Sequence, residues 1–227
     1  MKALAIDSAS PCLTIMAENN DLSSTIILDI GMHQSEKILP AIGQVLKDVN
    51  LPVNEIEFGS LCLGPGTFTG LRLSFAALKG IHATYNFPIY AFDSLKVYAN
   101  PFLELKKPVL SVLDAKKKRF YVSLFRESKV SVESFDAEPI DVKKILDNEE
   151  EVILTGPDAD YFSEIYETID PNQKFIIIGS KNTNTAYQLL KLGKKAFESG
   201  AESLKEFEGP VYIRPSEAEE AKITASK

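Results

Sequence analysis

Short apolar runs and amphipathic segments alternate along the whole chain. The first thirty residues hold three runs rich in aliphatic and β-branched residues, and Pro11 and the polar stretch Asn19–Asp21 separate them. This pattern predicts a three-stranded meander. An apolar stripe at helical spacing then predicts a helix from Met32 to Val49, which Pro52 ends; the stripe consists of Ile38, Leu39, Ile42, Val45 and Leu46.

A strand, a turn and a helix follow in direct succession. The apolar run Phe58–Leu63 is typical of a buried strand, and the helical spacing behind it predicts a helix over Thr69–Tyr85. Further short runs predict a strand over Phe87–Asp93 and a helical segment around Leu95–Leu103. Three strands, helix, strand, helix and strand therefore form one compact half of an α/β protein.

The joint between that strand and helix is the segment GPGTFTGLR, Gly64–Arg72. Glycine admits backbone conformations forbidden to other residues, proline stiffens a bend, and Thr67 or Thr69 is expected to cap the helix. A helix start also attracts anions, but a P-loop needs a lysine directly after its last glycine, and Leu71 stands there. We therefore favour a structural turn that lets two helices pack closely, formed by Gly64, Pro65, Gly66 and Gly70.

The second half begins after Pro101 and Pro108 with two predicted strands, PVLSVLDA and RFYVSLFRE. A strand EEVILTG, a helix from Asp158 to Thr168, a strand KFIII and a helix from Asn182 to Ser199 follow. We predict an N-terminal lobe over 1–103 and a C-terminal lobe with a frayed tail over 104–227. Both halves open with strand pairs and continue with alternating helices and strands, which suggests a duplicated architecture.

Composition restricts the function classes. With 44% apolar and 25% charged residues the chain is an ordinary globular protein, and its net charge of −7 disfavours nucleic-acid binding by this chain alone. No apolar stretch approaches the roughly 20 residues that cross a bilayer. We expect a cytoplasmic protein without membrane contact in which Cys12 and Cys62 are buried and reduced.

Seven landmarks occur in a distinctive order: AIDSAS, HQSEKILP, GPGTFTGLR, the pair Lys79-Gly80, AFDSL, LDAKKKRFY and VYIRPSEAE. Over nearly its whole length the chain resembles the TsaB, or YeaZ-like, family, whose usual turn sequence is GPGSFTGLR. Members of that family are the dimerisation subunit of the bacterial complex that makes threonylcarbamoyladenosine in tRNA. The resemblance implies a two-lobed fold of the actin, hexokinase and Hsp70 class (ASKHA, ribonuclease H-like), with a mixed sheet and helices in each lobe. It also implies a non-catalytic paralogue of the catalytic subunit TsaD.

Nucleotide enzymes of this fold hold phosphates at two strand turns, where glycine lets backbone amides approach. Here the turns are Asp7–Cys12 and Asp114–Arg119, and neither contains a glycine. We predict a vestigial nucleotide site at Asp7, Ser8 and Asp114, with both carboxylates accepting from turn amides. Magnesium coordination by the two carboxylates is the alternative.

The histidines do not predict a metal site. Two histidines four apart on a helix can hold one ion, but Lys37 stands four residues after His33, and His82 belongs to another predicted helix. The family's catalytic relatives are expected to use paired histidines at this place. We therefore expect no metal and no catalytic residue, with His33 as a helix-start residue and His82 as a packed or partly exposed side chain.

The family resemblance implies pairing through the two helices, Met32–Val49 and Thr69–Tyr85. The predicted partner interface consists of His33, Lys37, Ala41, Leu71, Phe75, Leu78 and Lys79. The alternative is that the second helix is buried inside the monomer. Lys116–Arg119 is expected to be a solvated hairpin turn, with a tRNA phosphate contact as the alternative. Arg214, which with Tyr212 matches the family's late YLR element, is expected to tie the tail to the body through a carboxylate.

The resemblance thus predicts a scaffold that binds a TsaD-like subunit and works with a TsaE-like ATPase, and that forms a homodimer when alone. It reaches tRNA only through the complex. The isolated chain is expected to hold no cofactor, and the resemblance leaves open ATP or ADP with magnesium at the interface with TsaD. Two alternatives remain: an independent ATPase or small-molecule kinase of the same fold, and a glycoprotease-type peptidase. Neither cysteine has an evident base for the peptidase chemistry.

Overall fold

Two five-stranded sheets form the framework of the protein, seen in a computed structural model that describes residues 1–146, 149–179 and 184–214. No helix within those ranges is both long enough and apolar enough to span a bilayer. The prediction of a frayed end concerns residues 215–227, which lie outside the described ones.

The first sheet has the order β3-β2-β1-β4-β5. β1 runs antiparallel to β2 and parallel to β4, so that Ile6 lies opposite both Ile15 and Leu61. All three side chains are fully buried, because helices cover both faces of the sheet. The strands are β1 Lys2–Asp7, β2 Cys12–Asn19, β3 Leu22–Asp29, β4 Phe58–Gly64 and β5 Ile89–Asp93.

Two helices lie side by side on one face of this sheet. α1 spans Gln34–Asp48, after a 3-10 turn at Gly31–His33, and α2 spans Phe68–Tyr85. Their inward residues share one apolar cluster with β1, β2 and β4. A short helix, α3 Ser94–Ala99, begins where the Asp93 side chain accepts from the amide of Lys96. Two further 3-10 segments occupy Val53–Glu55 and Asn100–Leu105.

The second sheet repeats the first. Its order is β10-β9-β6-β7-β8, with β6 antiparallel to β7 and parallel to β9. Each sheet is therefore a meander of three strands followed by two parallel strands, which confirms the predicted duplication. The elements are β6 Val109–Lys116, β7 Arg119–Arg126, β8 Lys129–Ala137, α4 Pro139–Ile145, β9 Glu151–Gly156, α5 Ala159–Glu167 and β10 Lys174–Gly179.

The last helix crosses back to the first lobe. α6, Thr185–Glu198, packs on β1 and β4, on the sheet face opposite α1 and α2. Its approach is so close that a Cβ at Gly193 would overlap the Ser60 hydroxyl. The predicted boundary near 104 separates the two sheets, but assigning everything after it to the C-terminal lobe is wrong. Helix α6 and residues 199–211 belong to the N-terminal lobe, because their apolar and backbone contacts are made there.

Most predicted elements are confirmed, with shifts of a few residues at their ends. The sequence reading missed β8 and α4. The helix predicted from Asn182 begins at Thr185, where the Asn184 side chain accepts from the amide of Tyr187; residues 180–183 lie outside the described ones.

Candidate functional site

The turn between β4 and α2 is pressed against the turn that follows β1. A Cβ at Gly66 would lie 2.7 Å from the carbonyl oxygen of Ala9, and one at Gly70 would overlap the carbonyl oxygen of Ser8. Gly64 has a φ of +125° and precedes Pro65 through a cis peptide bond. The structural role predicted for these four residues fits this geometry. The reason differs from the predicted one, because the close approach is to a strand turn and not to a second helix.

The start of α2 is held by backbone contacts. The predicted cap by Thr67 or Thr69 is wrong, because Thr67 occupies the N-cap position without a side-chain bond to the helix. Instead, the amide of Thr67 donates to the Ala9 carbonyl at 2.7 Å and its hydroxyl to the Ser8 carbonyl at 3.5 Å. Thr67 of the same chain therefore occupies the carbonyl groups of the turn after β1.

Asp7 and Ser8 in that turn are both buried and hydrogen-bonded. Asp7 accepts from the amide of Ala9 at 2.9 Å and from the hydroxyl of Thr185 at 2.6 Å, while the Ser8 hydroxyl donates to the carbonyl of Gly70 at 2.7 Å. Burial raises the pKa of Asp7, and these hydrogen bonds offset part of that rise. Asp7 thus has the predicted role of a strand-end carboxylate that satisfies a turn amide, here also joined to α6.

Asp114 has the same role in the second lobe. Its carboxylate accepts from the amide of Lys116 at 2.7 Å and pairs with the ammonium of that lysine at 2.8 Å. Its own amide donates to the carboxylate of Asp158 at 2.8 Å. The predicted hairpin turn is confirmed, and three successive lysines in it, Lys116–Lys118, adopt positive φ. The tRNA contact considered for this turn stays untested.

Arg214 reaches the same turn from the tail. It donates to the carbonyl of Ala115 at 3.2 Å and pairs with Asp136 at 3.5 Å, which confirms the predicted tie through a carboxylate. Just before it, the Tyr212 hydroxyl accepts from Arg72 on α2 at 3.0 Å. The tail therefore crosses from the first lobe to the second beside both turns.

Internal hydrogen bonds and ion pairs engage the polar groups of these two turns. The Asp7 and Ser8 side chains and the neighbouring carbonyls are engaged inside the first lobe, and Asp114 and Ala115 are engaged by Lys116 and Arg214. Within the described ranges, no three His, Cys, Asp or Glu side chains come together as metal ligands would.

The histidines and cysteines occupy structural positions. His33 is exposed at the start of α1, and His82 lies 2.7 Å through Nδ1 from the carbonyl of Phe87, as predicted for both. Cys62 is fully buried and Cys12 half-buried, and neither is part of a disulfide. Burial and the neighbouring Asp7 hold the pKa of Cys62 well above its usual range, which disfavours a thiolate nucleophile there.

Part of the predicted partner interface is wrong. Four of its residues are buried in the core of this chain and form no surface: Ala41, Leu71, Phe75 and Leu78. Leu78 packs so tightly that a Cβ at Gly59 would lie 2.9 Å from its methyl groups. Lys79 binds the tail, donating to the carbonyls of Lys205 and Glu206. His33 and Lys37 are exposed on α1, and their contact with a partner stays a prediction.

The outward sides of the two helices form a different surface, which we call the α1–α2 face. Met32 is 76% exposed and Leu39 63% exposed, and the neighbouring helix α2 has small exposed residues. The six residues of the face are Met32, Leu39, Gly43, Ala76, Gly80 and Ala83. Leu39 was among the apolar residues that predicted α1, but the predicted interface contained Leu71, Phe75 and Leu78, which lie on the buried side of α2.

Two similar lobes, each a meander with two parallel strands, define the fold class of actin, hexokinase and Hsp70. EutJ, an ethanolamine utilization protein from Carboxydothermus hydrogenoformans, shares this fold with a TM-score of 0.53 at 11% identity, over 83% of this chain and 90% of that one. YeaZ from Pseudomonas aeruginosa superposes with a TM-score of 0.75 at 18% identity, over 93% of this chain and all of that one.

The family model described as TsaD, tRNA N6-adenosine threonylcarbamoyltransferase, matches residues 30–221. The chain belongs to this family and, within it, to the TsaB or YeaZ group. The Bacillus subtilis protein named tRNA threonylcarbamoyladenosine biosynthesis protein TsaB is 23% identical over the full length of both chains.

Proposed function

We propose that this chain is a non-catalytic subunit in the cytoplasm that binds a TsaD-like catalytic subunit through the α1–α2 face. In this role it supports formation of threonylcarbamoyladenosine next to the tRNA anticodon and contributes no chemical step. Membership of the TsaB group supports the pathway, and the engaged turns at Asp7 and Asp114 support the lack of chemistry.

The exposure of two large apolar side chains, Met32 in the 3-10 turn before α1 and Leu39 on α1, carries the proposal. Met32 and Leu39 stand in solvent, and Ala76 and Gly80 are exposed on α2, which packs against α1, while the opposite sides of both helices fill the core. Exposed apolar residues on two adjacent helices are typical of a protein contact. Small residues on α2 let a second helix approach closely, since helix separation depends on the side chains between the axes.

The deciding experiment measures binding of the TsaD subunit of the same organism to Leu39→Glu. A carboxylate at this exposed position leaves the fold intact but has to be desolvated in the complex, so we expect binding to weaken at least about 30-fold. Ile140→Glu is the matched control, because Ile140 is 49% exposed on α4 in the other lobe. Wild-type affinity of Leu39→Glu, or absence of any binding by the wild type, would contradict the proposal.

The remaining partners follow from the same model of assembly. In the absence of TsaD the face pairs two copies of this chain into a homodimer, and sedimentation velocity should show Leu39→Glu as a monomer. A TsaE-like ATPase and tRNA join through the complex. We assign any ATP or ADP with magnesium to the interface with TsaD, and the engaged polar groups of this chain's own turns support that assignment.

A further inference from the structure

A loop of the tail is fastened to the flank of α2. The Lys79 ammonium donates to three backbone carbonyls of this loop, those of Lys205, Glu206 and Glu208. The amide of Leu204 donates to the carbonyl of Ile89 at 2.7 Å, and the Glu208 side chain accepts from the amide of Lys205 at 2.8 Å. We call residues 204–208 the tail loop.

The tail loop presents one aromatic side chain to solvent. Phe207 is 95% exposed, the highest exposure among the large apolar residues of the described ranges. The carbonyls on both sides of it are turned toward Lys79, which fixes the backbone that carries the ring. An aromatic ring on a fixed loop loses little conformational entropy on binding, and such residues are common binding anchors.

Phe207 borders the α1–α2 face. Lys79 is a helix-surface neighbour of Ala76, three residues before it, and of Ala83, four residues after it. On the other flank of α2, Leu73 and Ala77 pack into the cluster that contains the inward residues of α1. The small outward residues of α2 therefore lie between α1, with Leu39, and the tail loop, with Phe207.

We propose that Phe207 is a further anchor of the α1–α2 face and contacts the helix of the TsaD-like subunit that packs on α2. This inference rests on the proposed function. Its basis is the continuity of the tail loop with that face. The exposed apolar side chains of Leu39 and Phe207 lie on either side of the small outward residues of α2, and this arrangement accommodates one helix. The tail loop thereby contributes a contact to the complex with the partner.

The test measures the dissociation constant of the complex with the TsaD subunit of the same organism by calorimetry. Phe207→Ala should weaken binding about tenfold, mainly through faster dissociation, as expected for an interface anchor. Phe207→Leu should keep most of the affinity. Ile140→Ala is the control, since it removes an exposed apolar side chain from the other lobe. Lys79→Ala should weaken binding as well, because it releases the loop.

The outcomes separate this inference from the proposed function. If Phe207→Ala binds within about twofold of wild type while Leu39→Glu loses binding, the inference is overturned and the proposed function stands. If neither change affects binding, or the wild type does not bind TsaD, both fall. If Phe207→Ala weakens only self-association of the chain, the loop belongs to the homodimer and the inference is again overturned. Equal thermal unfolding of Phe207→Ala and wild type excludes a folding defect.

Discussion

At the residue scale, the Asp7 carboxylate has a structural role. Magnesium coordination was the alternative for it, whereas here it is 1% exposed and hydrogen-bonded to Thr185 of α6. The sequence predicted that Asp7 would accept from a turn amide. It could not predict Thr185 as a partner, because that contact joins residues 178 positions apart.

The raised pKa of Asp7 predicts a pH dependence of stability. Because burial raises the pKa above its ordinary 3.8, the folded protein holds this proton more tightly than the unfolded chain does. The stability that Asp7 contributes is thus present at low pH, and it is lost as pH rises through the pKa of Asp7 in the folded protein. We expect the free energy of unfolding of wild type, relative to Asp7→Asn, to fall as pH rises from the ordinary pKa of 3.8 through the raised pKa of the folded protein.

Urea unfolding of both proteins across this range measures the difference, in which distant groups cancel. Cys62 stays a thiol throughout, because its pKa is raised well above its usual value. A wild type that gains stability relative to Asp7→Asn as pH rises would show that the carboxylate is ionised and favourably paired.

The interface residues that were predicted wrongly show what helical periodicity in a sequence cannot reveal. Leu71, Phe75 and Leu78 recur at helical spacing, and that spacing identifies a face without saying what covers it. Phe75 and Leu78 are covered in the cluster that includes residues of α1 and β4, and Leu71 in the cluster that includes Ala9 and Cys62. Exposed Leu39 belongs to the same predicted stripe as buried Ile38 and Ile42, and only the direction of α1 on the sheet separates them.

At the element scale, strong local signals gave the elements, and weak ones were missed. The apolar runs of β1, β2 and β4 predicted those strands, whereas β8 lies at a sheet edge and its alternation is interrupted by a bulge between Val132 and Phe135. α4 has seven residues, too short for a clear helical period, and begins with a reciprocal cap between Glu138 and Asp141. Neither offered a pattern that distinguishes it from a loop.

The pose of α2 depends on one close contact, which predicts the effect of Gly70→Ala. The added methyl group would overlap the Ser8 carbonyl, a backbone atom that cannot move without shifting β1 or α2. We expect a loss of at least about 2 kcal/mol in the free energy of unfolding. Gly80→Ala on the same helix is the control, since nothing lies within 4 Å of its Cβ position.

For Gly80→Ala we expect a gain of up to about 1 kcal/mol, because alanine favours an exposed helix. Denaturant titration of both variants measures the two effects. Equal stabilities of Gly70→Ala and Gly80→Ala would show that the turn accommodates the added methyl group and does not fix the position of α2.

At the scale of the whole molecule, the sequence predicted a duplicated two-lobed architecture and missed how the lobes are joined. Apolar runs reveal strands and their order along the chain, and this was enough for the repeat. The return of α6 to the first sheet depends on close packing, as at Gly193 against β4, which no local pattern reports. The predicted lobe boundary was therefore right for the sheets and wrong for the last helix.

From the hydrogen bonds that join the turns of both lobes to α2 and the tail, we predict that the isolated chain does not bind magnesium-ATP. A nucleotide in the cleft would have to displace the bonds of Ser8 and Ala9 to α2, and the bond of Arg214 to Ala115. Each lost buried hydrogen bond costs about 1–3 kcal/mol, so displacing several of them offsets the gain from phosphate contacts. Calorimetry with magnesium-ATP should show no heat of binding at millimolar nucleotide, and Arg214→Ala should behave alike because the first turn stays occupied. Micromolar affinity with turnover by the wild type would favour an independent ATPase or kinase over the scaffold.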